Sequence, residues 1–595
     1  MHGPLKFKYL GMIMALGLVF FSDAIQCQDT KSDPEGLPLN NRTPTWKEVV
    51  SIYRELAVNS ANAAFFEVGS SDVGRPVHAM VIGKDGQEIK DLESFKTYRQ
   101  SNPNRLGLLI NNAIHPGEPC GVDASISWLR ELLSDKSTLD ELTATIDIVI
   151  IPMYNVGGAL NRNCCTRTNQ DGPEEYGFRG NARNLDLNRD FIKMDSKNAF
   201  AFAALFHAFA PNLFIDTHTT NGADYPYSMT LISTQHNKAG PVLGPFIQNT
   251  MEPFLYEFMA EQEQSMCPYV FSKGETPDDG LIGFLETPRY STGYAVLFGC
   301  IGLTSEAHML KPFSERVKAT MSLIEGVVQF MKAHHDEILE LKGLELDRCF
   351  LSDSLPVHWE HDVDRYNPIT FNGFEARKEI SNVTGDVRLK YDRTKTWTKE
   401  IPFYNQYNAS QYALIPDHFV VPQAWRQVIE RMQQNGVIMR RFENDTLINM
   451  EVTYIQGFRS TNKPYEGHHL NSFDSLEIRI EPVQIYAGDF IIESHQPAMR
   501  YIIEVLDPRG HDSFFRWNFF DSAMQQKEYY SAYVFEETAE EMLKLDDDLR
   551  MKFELELADN PELKEDGRAQ LDWLYRASMH YEGSANRYPV FRSSQ

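Results

Sequence analysis

A chain of 595 residues is too long for one hydrophobic core, so it divides into at least two packed units. With 42% hydrophobic and 12% aromatic residues it has the composition of a globular protein, not of a disordered or fibrous one. A formal charge of −26 argues against nucleic acid or an anionic membrane as a partner.

The first element is a targeting segment. "MHGPLKFKYLGMIMALGLVFFSDAIQCQ" starts basic at Lys6 and Lys8 and runs apolar from Leu10 to Phe21. Ser22 and Ala24 then stand at the spacing a signal peptidase reads. The apolar run is short for a membrane span, so residues 1–24 are predicted to be a cleaved signal peptide. The mature protein is expected to be secreted or periplasmic, with no stable membrane insertion. Lipid attachment at Cys27 is disfavoured because Ala-Ile-Gln before it fits that signal poorly. Residues 25–45 are polar and predict a flexible linker. The seven cysteines show no repeated spacing, so no disulfide is required. Adjacent Cys164 and Cys165 are expected to be ordinary loop residues.

From residue 46 to 344, strand-like apolar runs alternate with amphipathic stretches. "LGLLIN" precedes the helix-like "DASISWLRELL", "IDIVIIPMY" ends in the loop "NVGG", and "NLFIDTHTT" follows "NAFAFAALFHAF". "AVLFGCIGLTSE" precedes a long stretch with apolar residues at helical spacing. This order predicts an α/β domain, three-layer α/β/α with a mixed sheet. Residues 345–511 alternate apolar and polar in "DVRLKYD", "INMEVTYI" and "SLEIRIE", as half-buried strands do. They predict a β-rich accessory region interrupted by one helix at "VPQAWRQVIERMQQNG". Residues 512–595 read as mostly helical.

Four stretches of the first domain carry polar residues where an apolar strand ends. "NAIHPGEPCG" holds His115 and Glu118, "NARNLDLNRDF" holds Asp186, Asn188 and Arg189, "LFIDTHTTNG" holds His218, and "IGLTSEAHML" holds Glu306. In open α/β sheets the crevice beyond the carboxyl ends of the strands is where ligands bind. Two ligands close in sequence with a distant third is a catalytic zinc arrangement that leaves a position for water. A His-x-x-Glu pair alone is a weak signal, and by itself it reads first as a solvated turn.

Taken together, "HPGE", "DLNR", "DTH" and "TSE" resemble, in order and strand context, the zinc carboxypeptidase family, the carboxypeptidase A-like metallopeptidases. The resemblance covers roughly residues 46 to 344. It implies that His115, Glu118 and His218 bind one Zn2+ per chain and that Asp186 hydrogen-bonds the far nitrogen of His115. Glu306 is implied as the general base acting on zinc-activated water, and then as the acid for the leaving amine. Asn188 and Arg189 are implied to hold the substrate's terminal carboxylate. Arg179 is implied as the oxyanion stabiliser, with Arg162 and Arg183 as alternatives because this loop departs from the longer digestive form. "RYSTGY" offers Tyr290, preferred over Tyr294, as the active-site tyrosine. The family's Asn-Pro-Asp-Gly turn stands here as "NVGG", which leaves Asn155 without an assigned role.

The expectation is therefore an exported zinc metallocarboxypeptidase that takes peptides with a free C-terminal carboxylate. Two rivals stand beside it. One is a related zinc amidohydrolase acting on N-acyl amino acids or cell-wall peptides. The other is a non-catalytic binding protein of the same fold.

Overall fold

The computed structural model describes residues 41–220 and 222–593. The expected signal peptide, Cys27 and residues 25–40 of the expected linker lie outside the described residues. The linker's last residues are not free. Thr43 is 1% exposed, and its hydroxyl donates to Asp123 Oδ2 at 2.6 Å, which ties residues 41–45 to the α/β part.

Eight strands form the central mixed sheet: β1 Ala63–Ser70, β2 Pro76–Ile82, β3 Leu106–Asn111, β4 Ile146–Ile151, β5 Leu213–Thr220, β6 Met229–Ser233, β7 Met266–Pro268 and β8 Ile301–His308. Their spatial order is β1-β2-β4-β3-β5-β8-β6-β7. Strands β4, β3, β5 and β8 run parallel, and β2 and β6 flank that block antiparallel. The four central strands read as unbroken apolar runs because both of their faces are covered. Leu109, Val149 and Phe214 enter one hydrophobic cluster with Phe95, Phe202 and Phe206 of the helices Leu92–Ser101 and Lys197–Phe209. Their neighbours Ile110, Ile148, Leu213 and Ile215 enter a second cluster with Tyr53, Leu129 and Leu323, from the helices Trp46–Val58, Cys120–Ser134 and Phe313–Ala333. Alternate side chains thus face opposite helix layers, which is the expected three-layer α/β/α arrangement. Gly121 marks one close approach. A Cβ there would lie 2.0 Å from Thr217 Oγ1, so only glycine lets the helix Cys120–Ser134 start directly against β5.

"AVLF" departs from its reading. Ser291–Ala295 is helical and Val296–Phe298 a further 3-10 turn, so β8 begins only at Ile301. A four-residue apolar run carries no period that separates a buried strand from a buried helix. Cys164 and Cys165, expected as two separate loop residues, are joined by a disulfide.

The helix His335–Phe350 runs across the boundary expected at residues 344/345, and we place the start of the accessory region after it. That region contains a long hairpin, Asn367–Ile380 with Val387–Tyr404, and a six-stranded sheet. It shares a core with the α/β part: Phe419, Tyr501, Phe514 and Trp517 belong to the same cluster as Phe202 and Phe214. After helices spanning 532–576, the strand Phe591–Ser593 returns to the sheet. There it pairs between His418–Val421 and Thr446–Gln456. Among the described residues, no helix is long and apolar enough to cross a membrane.

Candidate active site

Strand β3 ends at Asn111, and the turn that follows carries His115 and Glu118 into the crevice before the helix Cys120–Ser134. β5 brings His218 to the same place, and β8 lies beside it so that His218 and Glu306 are register partners. All four side chains are buried or nearly so.

Ligand atoms of His115, Glu118 and His218 lie within 4.8 Å of one another. Both imidazoles turn Nδ1 inward: His115 Nδ1 is 3.4 Å from Glu118 Oε1, and His218 Nδ1 is 3.2 Å from Glu118 Oε2. Each Nε2 faces a carboxylate instead, Asp186 Oδ1 at 2.8 Å from His115 and Asp216 Oδ2 at 3.0 Å from His218. A carboxylate at Nε2 keeps the proton on that nitrogen and leaves the Nδ1 lone pair for a cation. His115 Nδ1 is buried without a hydrogen-bond partner. Two imidazoles and a carboxylate aimed at one point, with an orphaned ring nitrogen among them, are the donor set that suits zinc.

At Glu118, Asp186 and His218 the neighbouring charges outweigh burial. Burial alone would raise Glu118, but Arg167 and the two histidines hold it well below the usual carboxylate range. Burial would likewise raise Asp186, yet His115, Arg179 and Arg189 keep it far below. Burial would lower His218, and Asp216 with Glu118 and Glu306 more than reverses that. Glu306 behaves differently. Burial pushes it up to about 7, with His218 opposing and Glu118 adding to the rise.

These groups line a cavity of about 340 Å³ together with Arg167, Arg179, Asn188, Arg189 and Tyr290. Arg179 is 45% exposed, with Nη2 2.9 Å from Asp186 Oδ2 and Nη1 3.4 Å from Glu118 Oε1. The alternatives for its role lie elsewhere. Arg162 binds the backbone oxygens of Thr43, Pro44 and Glu175, and Arg183 reaches the backbone of Asp195. Tyr290 lies in the cavity wall, its ring 4.4 Å from the Arg189 guanidinium. Tyr294 does not reach the cavity; it is fully buried and hydrogen-bonded to Asn435 Oδ1 at 2.6 Å. Asn188 Oδ1 accepts from Ser291 N at 3.0 Å, which joins the Asp186–Arg189 turn to the Tyr290 segment. Asn155 acquires a role: its amide donates to Ile114 O and Arg179 O, fixing the turn that bears His115 and the residue that bears Arg179.

Several groups carry no sequence signal of their own. Asp216 stands two residues before His218 on β5 and therefore shares its face, yet an aspartate in "FIDTH" invites no such reading. Arg167 donates to Glu118 Oε1 at 2.9 Å from a loop with several arginines. The accessory region also reaches the site. Tyr465 OH accepts from Arg189 Nε at 2.9 Å, and Glu466 Oε2 accepts from the Asp186 backbone N–H at 2.8 Å. His468 is half-buried with Nε2 2.7 Å from Asp195 Oδ2. The hairpin around residues 459–472 thus braces the turn that holds Asn188 and Arg189. Tyr465→Phe is expected to raise KM for free-acid peptides about 3- to 10-fold, the worth of one net hydrogen bond. With kcat little changed, steady-state kinetics separates this bracing from a loss of chemistry.

Fold and site define a metal-dependent peptide hydrolase. Residues 50–229 match the family model described as zinc carboxypeptidase. Over 512 residues it is 20% identical to Carboxypeptidase 2 of Trichophyton equinum, covering 81% of this chain and 85% of the relative. It is 25% identical to Carboxypeptidase 2 of Trichophyton rubrum, covering 79% and 83%. Among solved structures, the carboxypeptidase A of Helicoverpa armigera is similar at a TM-score of 0.38 and 14% identity, over 52% of this chain and 77% of that one. The metallo-carboxypeptidase of Burkholderia cenocepacia is similar at 0.36 and 15%, over 48% and 69%.

Proposed function

We propose that the protein is an exported zinc carboxypeptidase that removes one residue at a time from the free C-terminus of peptides. The observation that carries this is a single cavity with two functions side by side. His115, Glu118 and His218 converge at one point beside Glu306, and Asn188, Arg189 and Tyr290 line the wall next to them.

His115, Glu118 and His218 would hold one zinc per chain, with Asp186 and Asp216 fixing the two imidazoles. Zinc, when bound, supplies a Lewis acid for the scissile carbonyl and lowers the pKa of water. Glu306 takes a proton from the attacking water and delivers it to the leaving amine nitrogen. Arg179, held against Asp186, presents its guanidinium toward the carbonyl oxygen where negative charge develops. Arg189 and Asn188 bind the terminal carboxylate, and the Tyr290 ring stacks on the Arg189 guanidinium and limits its freedom.

Digestion of a peptide mixture followed by mass spectrometry tests the proposal. Ladders shortened from the C-terminus are expected, and they should vanish with a chelator and return with zinc. Internal fragments, or hydrolysis of N-acyl amino acids alone, would refute it. Elemental analysis is expected to find about one zinc per chain, largely lost in His218→Ala. Undiminished tight zinc in that variant would remove His218 from the ligand set.

A further inference from the structure

A second cavity, of about 250 Å³, lies between the α/β part and the accessory region. The helix His236–Phe246 contributes Lys238 and Pro241 to its lining. The paired strands Ser354–His361 and Tyr407–Leu414 contribute Trp359 and the register partners Pro356 and Tyr412. Arg348 comes from the helix His335–Phe350, and Arg500 and Glu504 come from the helix Met499–Leu506. Tyr412 is 53% exposed, so this lining reaches the protein surface.

Two guanidinium groups share one buried carboxylate here. Glu345 Oε1 accepts from Arg348 Nη2 at 2.6 Å and from Arg500 Nη1 at 3.3 Å, and its Oε2 accepts from Arg348 Nε at 3.0 Å. Gly240, at φ +93°, makes room for that carboxylate, since a Cβ there would lie 3.3 Å from Glu345 Oε1. One carboxylate against two guanidinium groups leaves one positive charge without a paired anion. Arg348 Nη1 and Arg500 Nε have no hydrogen-bond partner among the described residues, and their side chains keep 27% and 14% exposure. Burial raises the Glu504 carboxyl to about 8 against the pull of Lys238, so it adds little negative charge at neutral pH. Leu297, Leu355, Trp359 and Tyr412 supply apolar surface beside these cations. A carboxylate on an apolar body satisfies both, because it presents two acceptor oxygens to the guanidinium edges. A cation meets like charges, and a wholly apolar molecule leaves the N–H groups unpaired.

The second cavity adjoins the first through a short relay. Arg500 Nη2 donates to Lys238 O at 2.9 Å. The Lys238 ammonium donates in turn to Glu286 O and, at 3.4 Å, to Gly293 O. Those two oxygens bracket Tyr290, Ser291 and Thr292, which line the cavity of the metal ligands. Leu297, a few residues on, lines the second cavity. The segment 286–297 is therefore part of the partition between them.

We propose that this second cavity is a ligand site for a small carboxylate with an apolar body, held by Arg348 and Arg500. Calorimetric titration of the zinc-loaded full chain tests it, with hydrocinnamate and with hydrocinnamide, which has the same carbon skeleton and no charge. Arg189 offers a competing grip for carboxylates, so the titrations are run on Arg189→Ala. Saturable binding of about one hydrocinnamate per chain is expected, with the amide at least about 10-fold weaker. Adding Arg348→Gln keeps a donor for Glu345 and leaves Arg500 paired with it. That change is expected to weaken hydrocinnamate about 10-fold with little shift in thermal unfolding. Arg500→Gln, which leaves Arg348 on Glu345, is the second variant and carries the same expectation. Unchanged affinity in a folded variant would overturn the site, because the acid would then be bound elsewhere. Equal binding of acid and amide, or no saturable binding in Arg189→Ala, would overturn it without recourse to either variant. None of these outcomes depends on turnover, so the carboxypeptidase reading stands or falls separately.

Discussion

Glu306→Gln is expected to retain zinc and substrate binding while turnover falls by at least about 10²- to 10⁴-fold, the usual worth of a positioned acid–base group. The amide fills nearly the same space, and Glu306 is not among the three converging ligands, so folding and metal content are expected to survive. Position makes the loss specific. Glu306 is the β8 partner of His218, so its carboxyl lies beside the metal cluster without belonging to it. The sign of the pH effect follows from its burial. Burial raises Glu306 to about 7, and a bound cation next to it would pull that value down. The base must be ionised to act, so wild-type kcat/KM is expected to fall as pH drops through a value at or below about 7. That limb should disappear in the variant. Zinc analysis and a pH–rate profile check both points; near-normal turnover in Glu306→Gln would remove it from the mechanism.

The second large effect concerns the end of the substrate. Arg189 donates through Nε to Tyr465 OH and through Nη1 to Asn188 O at 2.8 Å, leaving Nη2 without a hydrogen-bond partner among the described residues. A terminal carboxylate supplies a full charge and two acceptor oxygens, whereas a C-terminal amide supplies one neutral acceptor. Facing a neutral amide, the arginine forgoes charge-assisted hydrogen bonds worth about 1.5–3 kcal/mol each. One peptide in free-acid and amidated forms is therefore expected to be cleaved at rates differing by at least about 10²-fold. Arg189→Ala should erase most of that difference by slowing the free acid. Equal cleavage of both forms by the wild type would rule out a carboxypeptidase even with zinc in place.

The parts of the site that were legible in the sequence are those where a chemical residue interrupts an apolar run. His115, Glu118, His218 and Glu306 each follow or end a strand whose both faces are covered, so each is conspicuous against its neighbours. The strands β3, β4, β5 and β8 are legible for the same reason, since short apolar runs bounded by polar residues and turns leave few alternatives. Tyr465 and Glu466 are illegible because their meaning comes from a tertiary contact with residues 276 to 280 positions earlier in the chain. The strand Phe591–Ser593 has three residues, too short to carry a pattern.

That short strand also sets a timetable. It lies inside the six-stranded sheet, between His418–Val421 and Thr446–Gln456. The hairpin bearing Tyr465 and Glu466 springs from Thr446–Gln456 and its partner Ser475–Ile485. His115, Glu118, His218 and Glu306 have all been translated just past the midpoint of synthesis, but the brace on Arg189 cannot settle until residue 593 has left the ribosome. At about 5–20 residues per second, that interval is on the order of tens of seconds. Through that interval the nascent chain carries His115, Glu118, His218 and Glu306 with Arg189 unbraced, and proteolytic loss of the last strand would return a finished chain to that condition.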